Sequence, residues 1–163
     1  MRTILTSLLA LFILGLANLS ATEPSNEIAA AKLPKKVSGI LGVKYPGLEL
    51  VKAFKDTEDG ESFYSVVLKY NKREYEVTIT GQGEILETAK TLTAKDLPEP
   101  VAKAIHAKYK GATVKEAAEV RQVGEKISRT FHVEIETGPG ASVDLILDPQ
   151  GKILEEEAGS AKK

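Results

Sequence analysis

The strongest constraint on the fold of this 163-residue chain is an internal repeat. Lys32-Leu33-Pro34 recurs as Asp96-Leu97-Pro98, which lies 64 positions further along the chain. Near the end of each copy, Gly83-Glu84-Ile85-Leu86-Glu87 matches Gly151-Lys152-Ile153-Leu154-Glu155 at an offset of 68. A repeat of this length indicates a duplicated structural unit, so we expect the chain to build its fold from two similar halves.

Each copy is predicted to begin with a short helix. Pro34 and Pro98 stand where the first helical turn tolerates proline, because the missing N–H group would have no partner there. Apolar residues follow at helical spacing, and a glycine comes two residues after the last of them, as is common at helix ends. These residues are Val37, Ile40, Leu41, Tyr45 and Gly47 in the first copy, and Val101, Ala104, Ile105, Tyr109 and Gly111 in the second.

After each helix the apolar period changes to two, which predicts strands with one apolar and one solvated face. The alternation is clearest from Phe63 to Thr80 and from Thr130 to Leu147. We therefore predict an α+β fold of two repeats, each a short helix followed by about four antiparallel strands. The two sheets would either join edge to edge or share one core, and joining them would cover an exposed edge of each.

The ends of the chain differ in composition from the repeats. The predicted boundaries are a signal peptide at 1–21, a flexible lead-in at 22–31, a first repeat at 32–93, a second repeat at 94–157 and a frayed tail at 158–163. The lead-in is polar, with a helical tendency near 27–31, and the tail is small and charged, as is usual for mobile termini.

The first 21 residues have the pattern of a secretory signal peptide. Arg2 is followed by a largely apolar stretch from Ile4 to Leu16 and by a small, more polar cleavage region ending at Ala21. Cleavage is expected after Ala21, with Ala17 as the alternative. The apolar stretch is shorter than the roughly 20 residues of a membrane span. We therefore predict a periplasmic or secreted bacterial protein, with no stable membrane insertion after cleavage.

Composition excludes several classes of function. The chain contains no cysteine, which removes thiol catalysis, disulfides and cysteine-based metal sites. Its formal net charge of −1, with both signs mixed along the chain, lacks the basic patch that nucleic-acid binding requires. No glycine-rich loop precedes a helix in the way that phosphate binding needs. We expect no cofactor and no nucleic-acid partner.

The motifs of each half resemble those of the PepSY and PepSY-like family of exported bacterial domains. They are the Leu-Pro-x-x-Val helix start, the Lys-Tyr-x-Gly helix end, alternating strands, and a closing turn with glycine before Ile-Leu at Gly83 and Gly151. The resemblance extends from about Lys32 to Glu157. The tandem arrangement is similar to the β-lactamase inhibitor protein fold, in which two helix-plus-strand repeats form one curved sheet.

This resemblance implies an extracytoplasmic, non-catalytic module. PepSY domains occur in peptidase propeptides, where they are thought to restrain the enzyme, and the β-lactamase inhibitor protein holds an enzyme against the concave face of its sheet. The disulfides of that inhibitor are absent here, and no inhibitory loop can be matched. No functional residue is therefore carried over, and inhibition is an expectation at the level of the fold.

The residues themselves offer little catalytic chemistry. No nucleophile and base form a recognisable set, so no catalytic residue is assigned and the chain is predicted not to be an enzyme. His132 and Glu134 would share one strand face as two possible metal ligands, but a metal site needs three or four. The acidic loop 56–60 has only part of a calcium-binding pattern and fits a hairpin loop better. No metal site is assigned.

The solvated face of the strands is the predicted binding surface, because exposed apolar groups with a polar rim mark interaction sites. The candidate partner-binding residues are Phe63, Val67, Lys69, His132, Glu134 and Ile146. The leading hypothesis is a binding module for a protein or peptide, such as an inhibitor or regulator of an envelope enzyme. The alternative function is a small-ligand or metal sensor or scavenger. The alternative to a binding surface is that this face is partly buried by the other unit or by the lead-in.

Overall fold

The computed structural model describes residues 26–124 and 128–159 of the chain. Within these residues, nine antiparallel strands and two α-helices are present. The elements are β1 (Glu27–Ile28), α1 (Lys35–Lys44), β2 (Glu49–Glu58), β3 (Glu61–Tyr70), β4 (Arg73–Thr80), β5 (Ile85–Leu92), α2 (Glu99–Lys108), β6 (Thr113–Gln122), β7 (Ser128–Gly138), β8 (Ala141–Leu147) and β9 (Ile153–Ala158).

The predicted α+β class with two repeat units is wrong. All nine described strands form a single sheet in chain order, from β1 to β9, so the fold is mostly β with two short helices. The reason is the pairing of β5 with β6, which runs from Glu87↔Gln122 to Leu92↔Ala117 without a break in register. Because this ladder satisfies the backbone groups of both strands, neither run of strands ends as a separate sheet.

Tight turns set the register of the first strands. Asn71 and Lys72, between β3 and β4, have φ angles of 50° and 61°. Two positive φ angles in a two-residue loop define a type I′ turn, whose twist matches that of the flanking strands. Asp59 and Gly60 repeat this arrangement between β2 and β3, with φ angles of 51° and 82°. The acidic loop of the sequence is therefore a hairpin turn, as the sequence predicts.

Both helices lie on the same face of the sheet. Leu68, Tyr75, Lys90, Glu119 and Phe131 are successive register partners on neighbouring strands, so their side chains share one face. Leu68 packs in a core with α1, and Phe131 packs in a core with α2. We call this side of the sheet the helix face and the opposite side the open face.

The helix face carries two apolar cores, one under each helix. The buried residues of the first are Leu33, Val37, Leu41, Tyr45, Ala53, Tyr64, Val66, Leu68, Val77 and Ile79. Those of the second are Leu92, Leu97, Val101, Ile105, Ala117, Phe131, Val133, Ile135, Leu145 and Leu147. Burial of these side chains is the main source of stability, at about 1.5–3 kcal/mol for each large residue.

A charged cluster on the linker before α2 connects the two halves. Arg73, at the start of β4, donates to both carboxylate oxygens of Asp96 at 2.7 and 2.8 Å. Asp96 also accepts from the backbone N–H of Thr93 at 2.8 Å, which closes a capping box. These hydrogen bonds hold the pKa of Asp96 well below its usual range. The bidentate geometry ties the first half of the sheet to the start of the second helix.

The ends of the chain are described only in part. Residues 26–31 of the predicted lead-in include β1, which pairs with β2, and the start of a 3₁₀ turn at Ala30–Lys32. The signal peptide at 1–21 lies outside the described residues, as do residues 22–25 and the end of the predicted tail, 160–163. At the other edge, β9 carries Glu155, Glu156 and Glu157, and charged residues of this kind discourage pairing with further strands.

Packing against the helices explains why both closing turns contain glycine. Gly83 and Gly151 both have a φ angle of 85° and lie against a helix. A Cβ atom on Gly83 would lie 3.2 Å from Ile40 Cγ1 of α1, a flexible side chain. A Cβ atom on Gly151 would lie 2.4 Å from the backbone oxygen of Pro100 in α2, which cannot easily move. Close packing of α2 on the sheet therefore requires glycine at position 151.

This packing predicts unequal effects of alanine at two glycines. Gly140 has a φ angle of 73°, but a Cβ atom there would meet nothing within 4 Å. Gly140→Ala should lower the free energy of unfolding by about 1 kcal/mol, the cost of the left-handed backbone alone. Gly151→Ala should lower it by about 3 kcal/mol, because overpacking against Pro100 adds to that cost. Urea unfolding followed by circular dichroism measures both, and equal losses would contradict the close contact.

Candidate functional site

No helix of the described residues covers the open face. One row of register partners crosses it from β2 to β7 and comprises Lys52, Val67, Glu76, Ala89, Val120 and Thr130. A second row crosses β6 to β9 and comprises Ala118, His132, Ile146 and Glu155. The face therefore combines apolar, acidic and basic side chains over its whole width.

All six residues predicted to bind a partner lie on this face. Phe63, Val67 and Lys69 alternate along β3, where the first two are half-buried and Lys69 is exposed. His132 and Glu134 alternate along β7, and Ile146 is the direct register partner of His132 on β8. Their role in binding stays a prediction, but the register places the apolar and polar members on one surface.

The six residues form two groups rather than one cluster. His132, Glu134 and Ile146 are close neighbours on adjacent strands. Phe63, Val67 and Lys69 lie on β3, which is four strand positions away from β7 in the sheet. At about 4.8 Å per strand, the two groups are separated by about 19 Å. A partner contacting both groups would have to cover the centre of the sheet.

The centre of the open face is buried, and the sequence did not predict it. Val120 is 1% exposed and Ala118 is 6% exposed, although neither belongs to the two cores under the helices. Both residues lie on the open face, as register partners of Ala89 and His132. The open face therefore has a solvent-excluded apolar centre at Ala118 and Val120.

Two acidic residues, which the sequence also did not single out, lie on the open face near this centre. Glu76 on β4 and Glu87 on β5 are diagonal neighbours, because Glu76 pairs with Ala89 and Glu87 with Thr78. Burial, with repulsion from Glu74, raises the pKa of Glu76 to about 7. Burial also raises the pKa of Glu87 to about 7, against a hydrogen bond from Gln122 Nε2 at 2.9 Å and with repulsion from Glu76. Both carboxyl groups therefore change charge near neutral pH.

On strand β7, Glu134 is buried and His132 is half-buried. His132 Nε2 lies 3.2 Å from Thr130 Oγ1, and burial lowers the pKa of the imidazole, which keeps it neutral at pH 7. Glu134 is 9% exposed, and its Oε2 atom has no hydrogen-bond partner among the described residues. A buried carboxylate oxygen without a partner is costly for a fold and therefore points to a functional role.

Across 26–124 and 128–159, no group of three or more histidine, aspartate or glutamate side chains is placed to hold a metal ion. In the same residues, no helix combines the length and apolar character needed to cross a membrane.

Comparison with solved structures defines the fold class. A DUF2874 family protein from Bacteroides uniformis ATCC 8492 matches with a TM-score of 0.64 and 19% identity, over 77% of this chain and 88% of that chain. A BLIP-like protein from Bacteroides fragilis NCTC 9343 matches with a TM-score of 0.60 and 22% identity, over 79% of this chain and 90% of that chain. The chain therefore has a BLIP-like fold.

A third solved structure bears on location. It is a protein from Bacteroides eggerthii DSM 20697, provisionally described as periplasmic, with a TM-score of 0.62 and 18% identity over 77% of this chain and 88% of that chain. This description agrees with the location predicted from the signal peptide. No family model and no curated protein matches the sequence, so membership of the PepSY family stays a prediction.

The raised pKa values predict an unusual pH dependence of stability. Glu76 and Glu87 have higher pKa values in the folded state than in the unfolded state. Their contribution to the free energy of unfolding is therefore complete below the unfolded pKa and is lost as the pH rises through about 7. Between pH 5 and 7, the free energy of unfolding should fall by at most about 1.4 kcal/mol per pH unit for each of Glu76 and Glu87. The pKa of Asp96 is lowered instead, so its stabilising contribution is lost as the pH falls into the acid range. The free energy of unfolding should therefore be greatest near pH 5.

Matched variants separate this effect from net charge. Glu87→Gln should be more stable than the wild type at pH 8, with a flatter profile of melting temperature against pH. Glu84→Gln removes an exposed carboxylate from a turn and should leave the profile unchanged. Thermal unfolding between pH 4 and pH 9 measures all three proteins. Parallel profiles for the wild type and Glu87→Gln would refute the role of the buried carboxylate.

Proposed function

We propose that this chain is an exported, non-catalytic binding module that presents the open face of its sheet to a protein partner. The observation that carries the proposal is the mixed-polarity open face around the apolar centre at Val120, which the described helices leave uncovered. Val67 and Ile146 supply apolar contacts on either side of it, and Glu76, Glu87 and Glu134 supply the polar groups. This combination of an apolar centre and a polar rim is typical of protein interfaces.

The BLIP-like fold supports a protein as the partner. The Bacteroides fragilis neighbour is described as a BLIP-like protein. The β-lactamase inhibitor protein, whose fold the tandem arrangement of the sequence resembles, holds an enzyme against its sheet. By this analogy of fold, we favour an enzyme of the cell envelope as the partner, and regulation or inhibition of that enzyme as the outcome. The predicted signal peptide and the periplasmic description of a neighbour support an envelope location for this chain, where such an enzyme would be within reach.

The duplicated sequence motifs fit the same proposal. The residues shared by the two copies, such as Pro34 and Pro98 or Gly83 and Gly151, lie at helix starts and closing turns. The open-face residues of β3 and β7 differ between the copies. We infer a tandem PepSY-like ancestry in which the frame was retained and the binding face diverged. No specific observation favours the alternative of a small-ligand or metal sensor.

Site-specific photo-crosslinking in the producing bacterium tests the proposed face. A photoreactive amino acid would replace Val67 or Ile146 on the open face, or Val43 on α1 as the control. Val43 is 83% exposed and lies on the opposite side of the sheet. We expect a discrete crosslinked protein from positions 67 and 146 and none from position 43. Crosslinks from position 43 alone, or from no position, would refute the open face as the binding surface.

A further inference from the structure

A row of acidic residues crosses the second half of the open face. Glu116 on β6 pairs with Glu134 on β7, Glu134 pairs with Asp144 on β8, and Asp144 pairs with Glu157 on β9. We call these four residues the acidic ladder. With adjacent strands about 4.8 Å apart, the ladder is about 14 Å long. Like charges directly opposite each other are unfavourable in a sheet, so a row of this kind is unusual.

Glu134 is the member of the ladder that points to a ligand. It is 9% exposed, and its Oε2 atom has no hydrogen-bond partner among the described residues. An ionised carboxylate in such a position is stable only with a positive or strongly donating neighbour. The fold buries this group next to other carboxylates, where a cation from outside would be bound most strongly.

The neighbouring side chains leave this oxygen without a hydrogen bond. Lys115, which precedes the ladder on β6, donates to Glu136 Oε2 at 2.7 Å. The charge of Lys115 also interacts with Glu134, which adds to the rise in the pKa of Lys115 after the larger effect of Glu136. His132, on the same face of β7, is kept neutral by burial. Glu134 Oε2 therefore has a positive charge nearby but no hydrogen-bond donor among the described residues.

We propose that the acidic ladder binds a lysine- or arginine-bearing segment of the protein partner, with one basic side chain donating to Glu134. This inference rests on the proposed function, since it names the chemistry of the partner at the same face. An extended segment along the ladder places alternate side chains about 6.8 Å apart, so two basic side chains fit within its length. A divalent metal fits less well, because no three acidic side chains of the described residues converge on one point.

Binding of a basic peptide tests the inference directly. The probes are a short peptide of alternating lysine and glycine and a matched peptide with glutamine in place of lysine. Nuclear magnetic resonance titration should show that only the lysine peptide shifts the amide signals of Glu134 and Asp144. Glu134→Gln should weaken that binding about tenfold, since a buried charged pair loses one partner. Glu84→Gln, with the same loss of charge in a distant turn, should weaken it by less than about twofold.

Equal weakening by Glu134→Gln and Glu84→Gln would overturn the inference, because net charge alone would then explain binding. Equal binding of the lysine and glutamine peptides would overturn it too. So would signal shifts of Glu134 with calcium alone and none with the lysine peptide. The unliganded Glu134→Gln protein should have a higher melting temperature than the wild type, whereas a purely structural carboxylate would give a lower one.

The Glu134→Gln variant also distinguishes failure of this inference from failure of the proposed function. If Glu134→Gln leaves the crosslink at Ile146 intact, and the lysine peptide does not bind, then the open face binds a partner without using the ladder. In that case only the present inference fails. If no crosslink forms from the open face, the proposed function itself fails.

Discussion

The pairing of β5 with β6 is the interaction on which the rest of the structure depends. Its six register pairs, from Glu87↔Gln122 to Leu92↔Ala117, join two groups of strands that each have their own helix and core. Without this ladder, both strands would present unpaired edges to solvent. With it, the two cores lie side by side on one face of a single sheet, and the opposite face becomes one continuous surface.

This continuity gives the open face its properties. Both helices pack on one side, so the described residues leave the other side of β5 and β6 uncovered. Val120 on β6 is buried at the join, and Glu76 and Glu87 on β4 and β5 are poorly solvated. The acidic ladder arises in the same way, because strict antiparallel register aligns Glu116, Glu134 and Asp144 across successive strands. The binding surface is thus a product of the long-range pairing rather than of any single motif.

Local features of the fold could be predicted from the sequence. Proline and glycine mark the ends of α1 and α2, and alternation marks β3, β4, β7 and β8, because these signals depend on neighbouring residues only. The sequence left joined sheets and a shared core as alternatives, and it could not select the β5–β6 pairing, since Ala117, Ala118, Glu119 and Val120 are all buried and show no alternation. Without that pairing, the chain looks like two repeat units, and the buried state of Glu87 and Glu134 has no visible cause. The alternation of apolar residues predicted that Phe63, Val67 and Ile146 share one face of the sheet. The distance of Phe63 and Val67 from Ile146 depends on the order of the strands, which alternation does not reveal.

Hydrogen exchange under increasing denaturant tests most directly whether the β5–β6 ladder makes the chain one unit. The amide protons of Val77 in β4 and Val133 in β7 are suitable reporters, because each residue lies in a different core. The account predicts that both open with the same free energy, equal to that of global unfolding. Separate opening of one half, with a clearly lower free energy for Val77 or Val133, would contradict a single cooperative sheet.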